Sequence, residues 1–174
     1  KTPFEIELFA PVIDKLEELQ KVDNISSRRI VAEHLRSSMM IIQDGGRPSN
    51  VDRGYVLRRL IRRMTRHLNK LGIDLNELPV LMDVSIDALN EMYPELSNNR
   101  ETIKAVVIEE KDKFIRTLQK GEKEFEKAVM NARTKGETLI PVDVVFNLYE
   151  TYGFPQEMTE ELAKEYDIEV DTKD

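Results

Sequence analysis

The 174-residue sequence contains no cysteine and no tryptophan, and the first absence excludes whole classes of site. Without cysteine the chain can form neither a disulfide framework nor a zinc site built on thiolates. Its two histidines, His34 and His67, lie far apart in sequence and form no HExxH pattern. A catalytic metal would have to rest on carboxylates alone, and we therefore predict no metal site in this chain.

Long apolar runs are missing as well. No stretch of about 18 apolar residues occurs, and the amino-terminal KTPFEIELF does not have the features of a signal peptide. We therefore expect a cytoplasmic protein with no membrane partner. The chain begins at Lys1 without a methionine and ends in the charged DTKD, which suggests a piece of a longer protein.

Positive charge is concentrated in one segment of an acidic chain. The net charge is −7, yet the segment from Arg53 to Lys70 has seven basic residues and no acidic one, so the remainder carries −14. On a helix, its apolar residues fall within an arc of about 100° and its arginines in the adjoining arc of about 140°. The apolar arc holds Leu57, Leu60, Ile61, Met64, Leu68 and Leu71; the basic arc holds Tyr55, Arg58, Arg59, Arg62, Arg63, Arg66 and Lys70. Such a face is typical of a surface that contacts nucleic-acid phosphates.

Other functions of the arginine face stay open. It could be a solvated helix face that pairs with the acidic remainder of the chain, although no acid stands at i±4 within the segment to pair with it. It could belong to a non-specific RNA- or DNA-binding helical module. It could also be part of a protein-interaction scaffold that docks on an acidic partner.

The loop QDGGRPSN before this segment is predicted to present Asn50 at the start of the basic helix. Gly45 and Gly46 allow positive φ and a close approach of the backbone, and Ser49 with Asp52 resembles a capping box. An asparagine side chain both donates and accepts hydrogen bonds, which suits it to a base edge or a sugar hydroxyl. The alternative is that Asn50 simply caps the helix.

Apolar periodicity along the rest of the chain predicts an all-α fold, an irregular multi-helix bundle with one long helix and a short C-terminal helical segment. Besides the basic helix, we predict helices at about 3–21, with a kink or break at Pro11, at 26–42, capped by Ser26 or Ser27, at 80–93 and at 98–132. In the long helix, the mixed charges from Glu109 to Lys113 predict a solvated face. We predict a single domain over 1–174, with a linker and first helix at 1–25, the main bundle at 26–134 and C-terminal helices at 138–174.

The segment PVDVVFNLYETYGFP predicts a short helix that ends at Gly153, as a left-handed cap, and at Pro155. A final helix is predicted from Pro155 to about Tyr166. Glu150 lies in the last turn of the first of these helices, where an acid is unfavourable to the helix dipole. It is therefore either merely exposed or held there for a purpose.

Two segments resemble alanyl-tRNA synthetases. RRIVAEHLRSSMMIIQDGGRPSNVDRGYVLRRLIRRMTRH (28–67) resembles the segment that follows the catalytic core in that family, and LYETYGFPQEMTEELAKEYDIEVD (148–171) resembles its LYDTYGFP block. The order and spacing also match. The resemblance covers essentially the whole chain, strongly in these two motifs and weakly before Ser26 and between Gly72 and Thr138.

This resemblance implies a helical tRNA-recognition domain between the class II catalytic core and the editing domain. In the family, an Asn and an Asp act from opposite sides on a G·U wobble at the third pair of the tRNA(Ala) acceptor stem. The matching positions are Asn50 and Glu150, and Glu150 departs from the family by one methylene. The residues expected to contact the tRNA backbone are Arg53, Tyr55, Arg58, Arg59, Arg62, Arg63 and Arg66.

The resemblance further implies that the parent is an alanine–tRNA ligase that uses ATP and Mg²⁺ and holds zinc in its editing domain. The chain itself has no class II ATP signature, no editing set of histidine and cysteine, and no GxxxxGK[ST] loop. We therefore expect no cofactor, no catalytic residue and no activity in this fragment alone. Its expected partners are the tRNA(Ala) acceptor stem and the catalytic and editing domains of the same chain.

Overall fold

The computed structural model describes residues 3–171, with side chains over 7–171. Helices dominate this part of the chain, and the all-α prediction is confirmed. The elements are α1 (Pro3–Leu19), α2 (Ile25–Gln43), α3 (Asp52–Lys70), a 3-10 turn (Leu75–Glu77), α4 (Leu78–Leu89), α5 (Pro94–Asn98), α6 (Arg100–Thr134), β1 (Leu139–Ile140), α7 (Val142–Tyr152), α8 (Gln156–Glu165) and β2 (Glu169–Val170).

Two details of the first helices differ from the prediction. Pro11 lies inside α1, which continues on both sides of it, so of the two predicted alternatives, a kink or a break, the break does not occur. The N-cap of α2 is Asn24, whose side-chain oxygen accepts from the Ser27 backbone N–H at 2.9 Å. The predicted cap at Ser26 or Ser27 was wrong because asparagine caps as well as serine and stands just before the first turn.

The chain forms two compact units, residues 1–112 and 113–174, and the boundary between them falls inside α6. In the first unit, α3 packs mainly on α2. The apolar face predicted for the basic segment is buried: Leu57, Ile61, Met64, Leu68 and Leu71 are all 0% exposed, while Leu60 is half-buried. Each such side chain contributes roughly 1.5–3 kcal/mol of burial free energy. One face of α3 is therefore fixed in the core.

The second unit has its own apolar core, built from α6, α7 and α8. Phe154 is fully buried there, edge-on to Phe114 with ring centroids 5.6 Å apart. A Cβ at Gly121 would lie 2.6 Å from Cζ of Phe154, so α6 needs glycine at this point. Gly153 has φ 70 and ends α7 in the left-handed conformation, as predicted.

Two short strands were not predicted. β1 and β2 pair in parallel, with Leu139 opposite Glu169 and Ile140 opposite Val170. Two-residue strands are too short for the alternation on which a strand prediction depends.

The long helix α6 spans 35 residues, about 50 Å at 1.5 Å per residue, and its predicted length is confirmed. Of the solvated face predicted from Glu109 to Lys113, the prediction is confirmed for Glu109, Asp112 and Lys113, which are exposed. It is wrong for Glu110 and Lys111, which are 2% and 8% exposed. Ile103, Val107 and Glu110 follow one another at spacings of four and three, so Glu110 continues the buried face of the helix.

Candidate nucleic-acid interface

The loop before α3 folds back onto the first turn of that helix. The Ser49 backbone N–H donates to the Gly54 carbonyl at 3.1 Å. A Cβ at Gly54 would lie 2.6 Å from the Arg47 carbonyl oxygen, and closer still to the Ser49 side chain. Glycine at this position therefore lets the loop lie directly against the helix.

The capping box predicted for this loop was wrong. The Ser49 hydroxyl donates to the Val51 carbonyl at 3.0 Å, and the N-cap residue is Val51, with no side-chain cap. Asp52 begins α3 with φ 52, in the left-handed region that asparagine and aspartate enter more readily than most residues. The hydroxyl is engaged within the loop and is not available to the helix terminus.

Asn50 is exposed at the head of α3 and does not cap it. Its side-chain oxygen Oδ1 accepts from Nη1 of Arg58 at 2.6 Å. A guanidinium can only donate, so the atom that faces Arg58 must be the amide oxygen. The amide NH₂ of Asn50 is thus directed away from Arg58.

Two arginines of the basic face bind a buried carboxylate. Nε of Arg58 and Nε of Arg62 donate to the same oxygen, Oε2 of Glu110, at 3.0 and 2.8 Å. The arginine side chains are only 20% and 13% exposed. The interpretation that this face pairs with acids elsewhere in the chain is therefore correct for these two residues. Sequence analysis missed Glu110, although the apolar spacing of α6 could have placed it on the buried side.

The other residues predicted to contact the tRNA backbone differ in how exposed they are. Arg53 is exposed, and its Nη2 lies 3.5 Å from the Asp44 carbonyl. Arg59 and Tyr55 are half-buried, with the guanidinium 5.8 Å from the ring centroid. This geometry is that of a cation–π contact.

Arg63 and Arg66 lie deeper along α3. Nη1 of Arg63 is 3.1 Å from Nε2 of His34. Arg66 is 1% exposed, so the prediction that it contacts the tRNA backbone is wrong in this structure. The cause is that α3 is buried over all of residues 64–68, including the positions on its basic arc.

Glu150 lies in the last turn of α7 and is exposed. The same helix exposes apolar surface, with Val142 at 41%, Phe146 at 60% and Tyr149 at 39%. Asn50 belongs to the first unit and Glu150 to the second. That the two side chains act on one ligand therefore stays a prediction.

The described residues gather no metal-ligand set. Over 7–171, no three His, Asp or Glu side chains are placed to hold a metal ion. Nδ1 of His67 is 2.8 Å from the Ser27 hydroxyl in the core, and His34 lies beside Arg63. No helix in the described part of the chain is long and apolar enough to cross a membrane.

Comparison with known proteins gives a consistent result along the whole chain. The family "tRNA synthetases class II (A)" matches residues 1–174. The alanine–tRNA ligase of Borrelia hermsii is 40% identical over 97% of this chain and 29% of that protein. Those of Streptococcus sanguinis and Corynebacterium jeikeium are 42% and 37% identical, over 98% and 97% of this chain and 20% of each protein. The chain thus spans between a fifth and a third of the length of these relatives. Because the family match extends from the first residue to the last, this chain belongs to the class II (A) tRNA synthetases.

Proposed function

We propose that this chain is the part of an alanine–tRNA ligase that binds the acceptor stem of tRNA(Ala) and recognises its G·U wobble pair. The observation that carries the proposal is the exposed amide of Asn50, held by Arg58 at the head of an arginine-rich helix. Relatives named alanine–tRNA ligase that match 97–98% of the chain support it. An amide fixed beside cations is suited to a base edge next to a phosphate backbone.

The outer part of α3 supplies the backbone contacts in this proposal. Arg53 and Arg59, with Tyr55 beside Arg59, are placed to neutralise phosphates and release their counterions. Arg58 and Arg62 direct Nε to Glu110, and in this proposal their Nη groups are the part of each guanidinium that approaches a phosphate. Arg63 lies one turn beyond Arg59 and extends the same strip. Arg66 is left out because it is buried.

Base recognition in the proposal uses Asn50 and Glu150. Guanine carries the one hydrogen-bond donor that marks the minor groove, its exocyclic amine, and a carboxylate accepts from it. In an A-form stem this groove is wide and shallow, so side chains reach base edges there. Glu150 is exposed at the end of α7, and its extra methylene requires the α7 backbone to stand slightly farther from the groove than an aspartate would.

The chemistry of the ligase would take place outside these residues. The parent would activate alanine with ATP and Mg²⁺ and transfer it to the terminal adenosine, in the cytoplasm. In this proposal the sites for ATP and Mg²⁺ and for the zinc of the editing domain belong to the other domains of the parent. The chain would orient the acceptor stem so that the 3′ end enters the catalytic domain of the same protein.

The test is the affinity of the 174-residue chain for an acceptor-stem hairpin whose third pair is G·U or G·C. We expect the wild type to prefer G·U by about 1–3 kcal/mol, the usual worth of one base contact. Asn50→Ala and Glu150→Ala should each reduce this preference. The exposed Asn131→Ala and Glu137→Ala are matched controls and should leave it unchanged.

The alternatives give different results in the same experiment. Salt-dependent binding that does not distinguish the two hairpins would identify a non-specific nucleic-acid-binding module. Failure to bind either hairpin, together with binding to an acidic protein, would identify an interaction scaffold. Either result would contradict the proposal.

A further inference from the structure

Glu110 is the most deeply buried carboxylate among the described ion pairs, and one of its oxygens accepts from two arginines. Oε2 lies 3.0 Å from Nε of Arg58 and 2.8 Å from Nε of Arg62, and the residue is 2% exposed. Burying a carboxylate and two guanidinium groups has a desolvation cost that their attraction only partly offsets. Replacing all three groups together by well-packed apolar residues is often neutral or stabilising, so stability alone does not account for this buried ion cluster.

Arg58 extends this contact to the surface. The guanidinium that donates from Nε to Glu110 also donates from Nη1 to Oδ1 of Asn50 at 2.6 Å. The group is planar and rigid, so fixing Nε in the interior fixes the direction in which Nη1 points. An unbroken series of hydrogen bonds therefore runs from the buried carboxylate through Arg58 to the exposed amide.

We infer that Glu110 is a positioning residue, which sets the orientation of the Asn50 amide through Arg58. An exposed asparagine on its own rotates, and it presents either its oxygen or its NH₂ to a ligand. With Arg58 held in place, the oxygen is occupied and the NH₂ faces outward. Asn50 then directs its NH₂ donors toward a base while Arg58 occupies one of the two acceptor sites of the oxygen, so it favours an acceptor over an amino group.

The negative charge of Glu110 is part of this device. Hydrogen bonds between a guanidinium and a carboxylate are roughly twice as strong as neutral ones. Glutamine at this position keeps the shape of the side chain but holds Arg58 less firmly. It has only one acceptor oxygen, and its NH₂ cannot accept a hydrogen bond from either arginine. Glu110→Gln is therefore the appropriate variant, because it weakens the series without opening a cavity.

The first test needs no RNA and uses the side-chain amide signal of Asn50 in the NMR spectrum of the 174-residue chain. The signal is assigned by its loss in Asn50→Ala. We expect Glu110→Gln and Arg58→Met each to move it toward the position of an exposed amide such as Asn131. Asp83→Asn, which weakens a different carboxylate–cation cluster in the first unit, should leave it in place. An Asn50 signal unmoved by both Glu110→Gln and Arg58→Met would overturn the inference.

The second test rests on the proposed function and measures the preference for the G·U hairpin. One base contact corresponds to about 5- to 150-fold. Glu110→Gln should reduce that preference several-fold when Asn50 is present and have no further effect on it in Asn50→Ala. An equal loss in both backgrounds would mean that Glu110 only stabilises the fold, and the inference would fall.

The two tests distinguish a failure of the proposed base recognition from a failure of the inference about Glu110. If the wild-type chain shows no G·U preference, the proposed base recognition fails, and the NMR experiment still decides whether Glu110 orients Asn50. If Glu110→Gln does not fold, Arg58→Met breaks the same series at its middle, partly exposed residue and takes its place in both tests. The cation lost in Arg58→Met affects both hairpins alike and cancels in the preference.

Discussion

At the scale of single residues, Gly54 shows most clearly how the loop and the basic helix depend on each other. Glycine inside a helix is normally less stable than alanine, by roughly 1 kcal/mol. Here an added Cβ would lie 2.6 Å from the Arg47 carbonyl oxygen, nearer than packed atoms approach. We therefore expect Gly54→Ala to lower the free energy of unfolding by about 1–3 kcal/mol, as overpacking does.

Urea unfolding of Gly54→Ala checks this prediction, and its sign is the informative part. Asn69→Ala, an exposed position of the same helix, is the control and should change the stability by less than about 0.5 kcal/mol. A gain in stability for Gly54→Ala would mean that the loop does not lie against the first turn of α3.

The environment of single residues was the hardest property to predict from the sequence. The pattern placed Asn50 correctly at the start of α3, but it did not indicate that Arg58 would hold the amide. It placed Arg66 on the basic face, although the residue is buried. The direction of Arg58 is set by Glu110, 52 residues away, and the burial of Arg66 is a matter of tertiary packing, whereas a helical wheel contains only local neighbours.

At the scale of elements, the contact between α4 and α6 predicts a pH dependence. Oδ1 of Asp83 on α4 accepts from Arg100 at 3.0 Å and from Lys104 at 3.1 Å, both in the first turns of α6. Partial burial raises the pKa of the Asp83 carboxyl, but the hydrogen bonds and charges of the two cations outweigh it and hold the pKa below its ordinary value. Asp83 thus stabilises the folded chain when it is ionised.

The sign of the effect follows from linkage. A carboxyl whose pKa is lower in the folded than in the unfolded state adds stability that is complete above the unfolded pKa and is lost as the pH falls through the folded pKa. We expect Asp83→Asn to be less stable than the wild type above about pH 5. The difference should shrink as the pH falls below about 4, toward the folded pKa.

Urea unfolding of both proteins at a series of pH values measures this difference. The exposed Asp143→Asn is the control for the substitution itself. A difference between wild type and Asp83→Asn that stayed constant down to the acid end of the series would contradict the lowered pKa. A difference that grew as the pH fell would mean that folding raises the pKa of Asp83 instead of lowering it.

Elements were predicted well where a long apolar period runs along the chain. The helices α3 and α6 were found because their apolar residues recur at threes and fours over 19 and 35 residues. The N-cap of α2 was misplaced because Asn24 and the two serines are chemically equivalent as caps. The strands β1 and β2 were missed because two residues contain no period.

At the scale of the whole molecule, the division into two units could not be seen in the sequence. The boundary at residue 112 lies inside α6, where helical periodicity continues without a break. Sequence signals of a domain boundary are loops, prolines and glycines, and none of them falls there. Each unit instead closes its own core on a different stretch of the same helix.

The overall charge gives the last prediction. The chain carries −7, so a polyanion approaching from a distance is repelled, while the outer arginines of α3 attract it at short range. The Debye length is about 10 Å at 0.1 M salt and about 30 Å at 0.01 M. At 0.1 M salt the affinity for an acceptor stem should therefore depend mainly on the arginines. At 0.01 M it should also depend on the negative charge of the rest of the chain.

We expect the logarithm of the hairpin affinity to fall linearly with the logarithm of the salt concentration above about 0.1 M, by roughly 0.7 to 0.9 for each phosphate contacted. Arg59→Gln should reduce this slope by about one such contact. Below about 0.03 M the gain in affinity should level off, because the long-range repulsion is then no longer screened. Fluorescence anisotropy over this range measures both effects. If the logarithm of the affinity stayed linear down to 0.01 M, the affinity for RNA would not depend on the net charge of the protein. The arginine face alone would then determine the electrostatic part of binding.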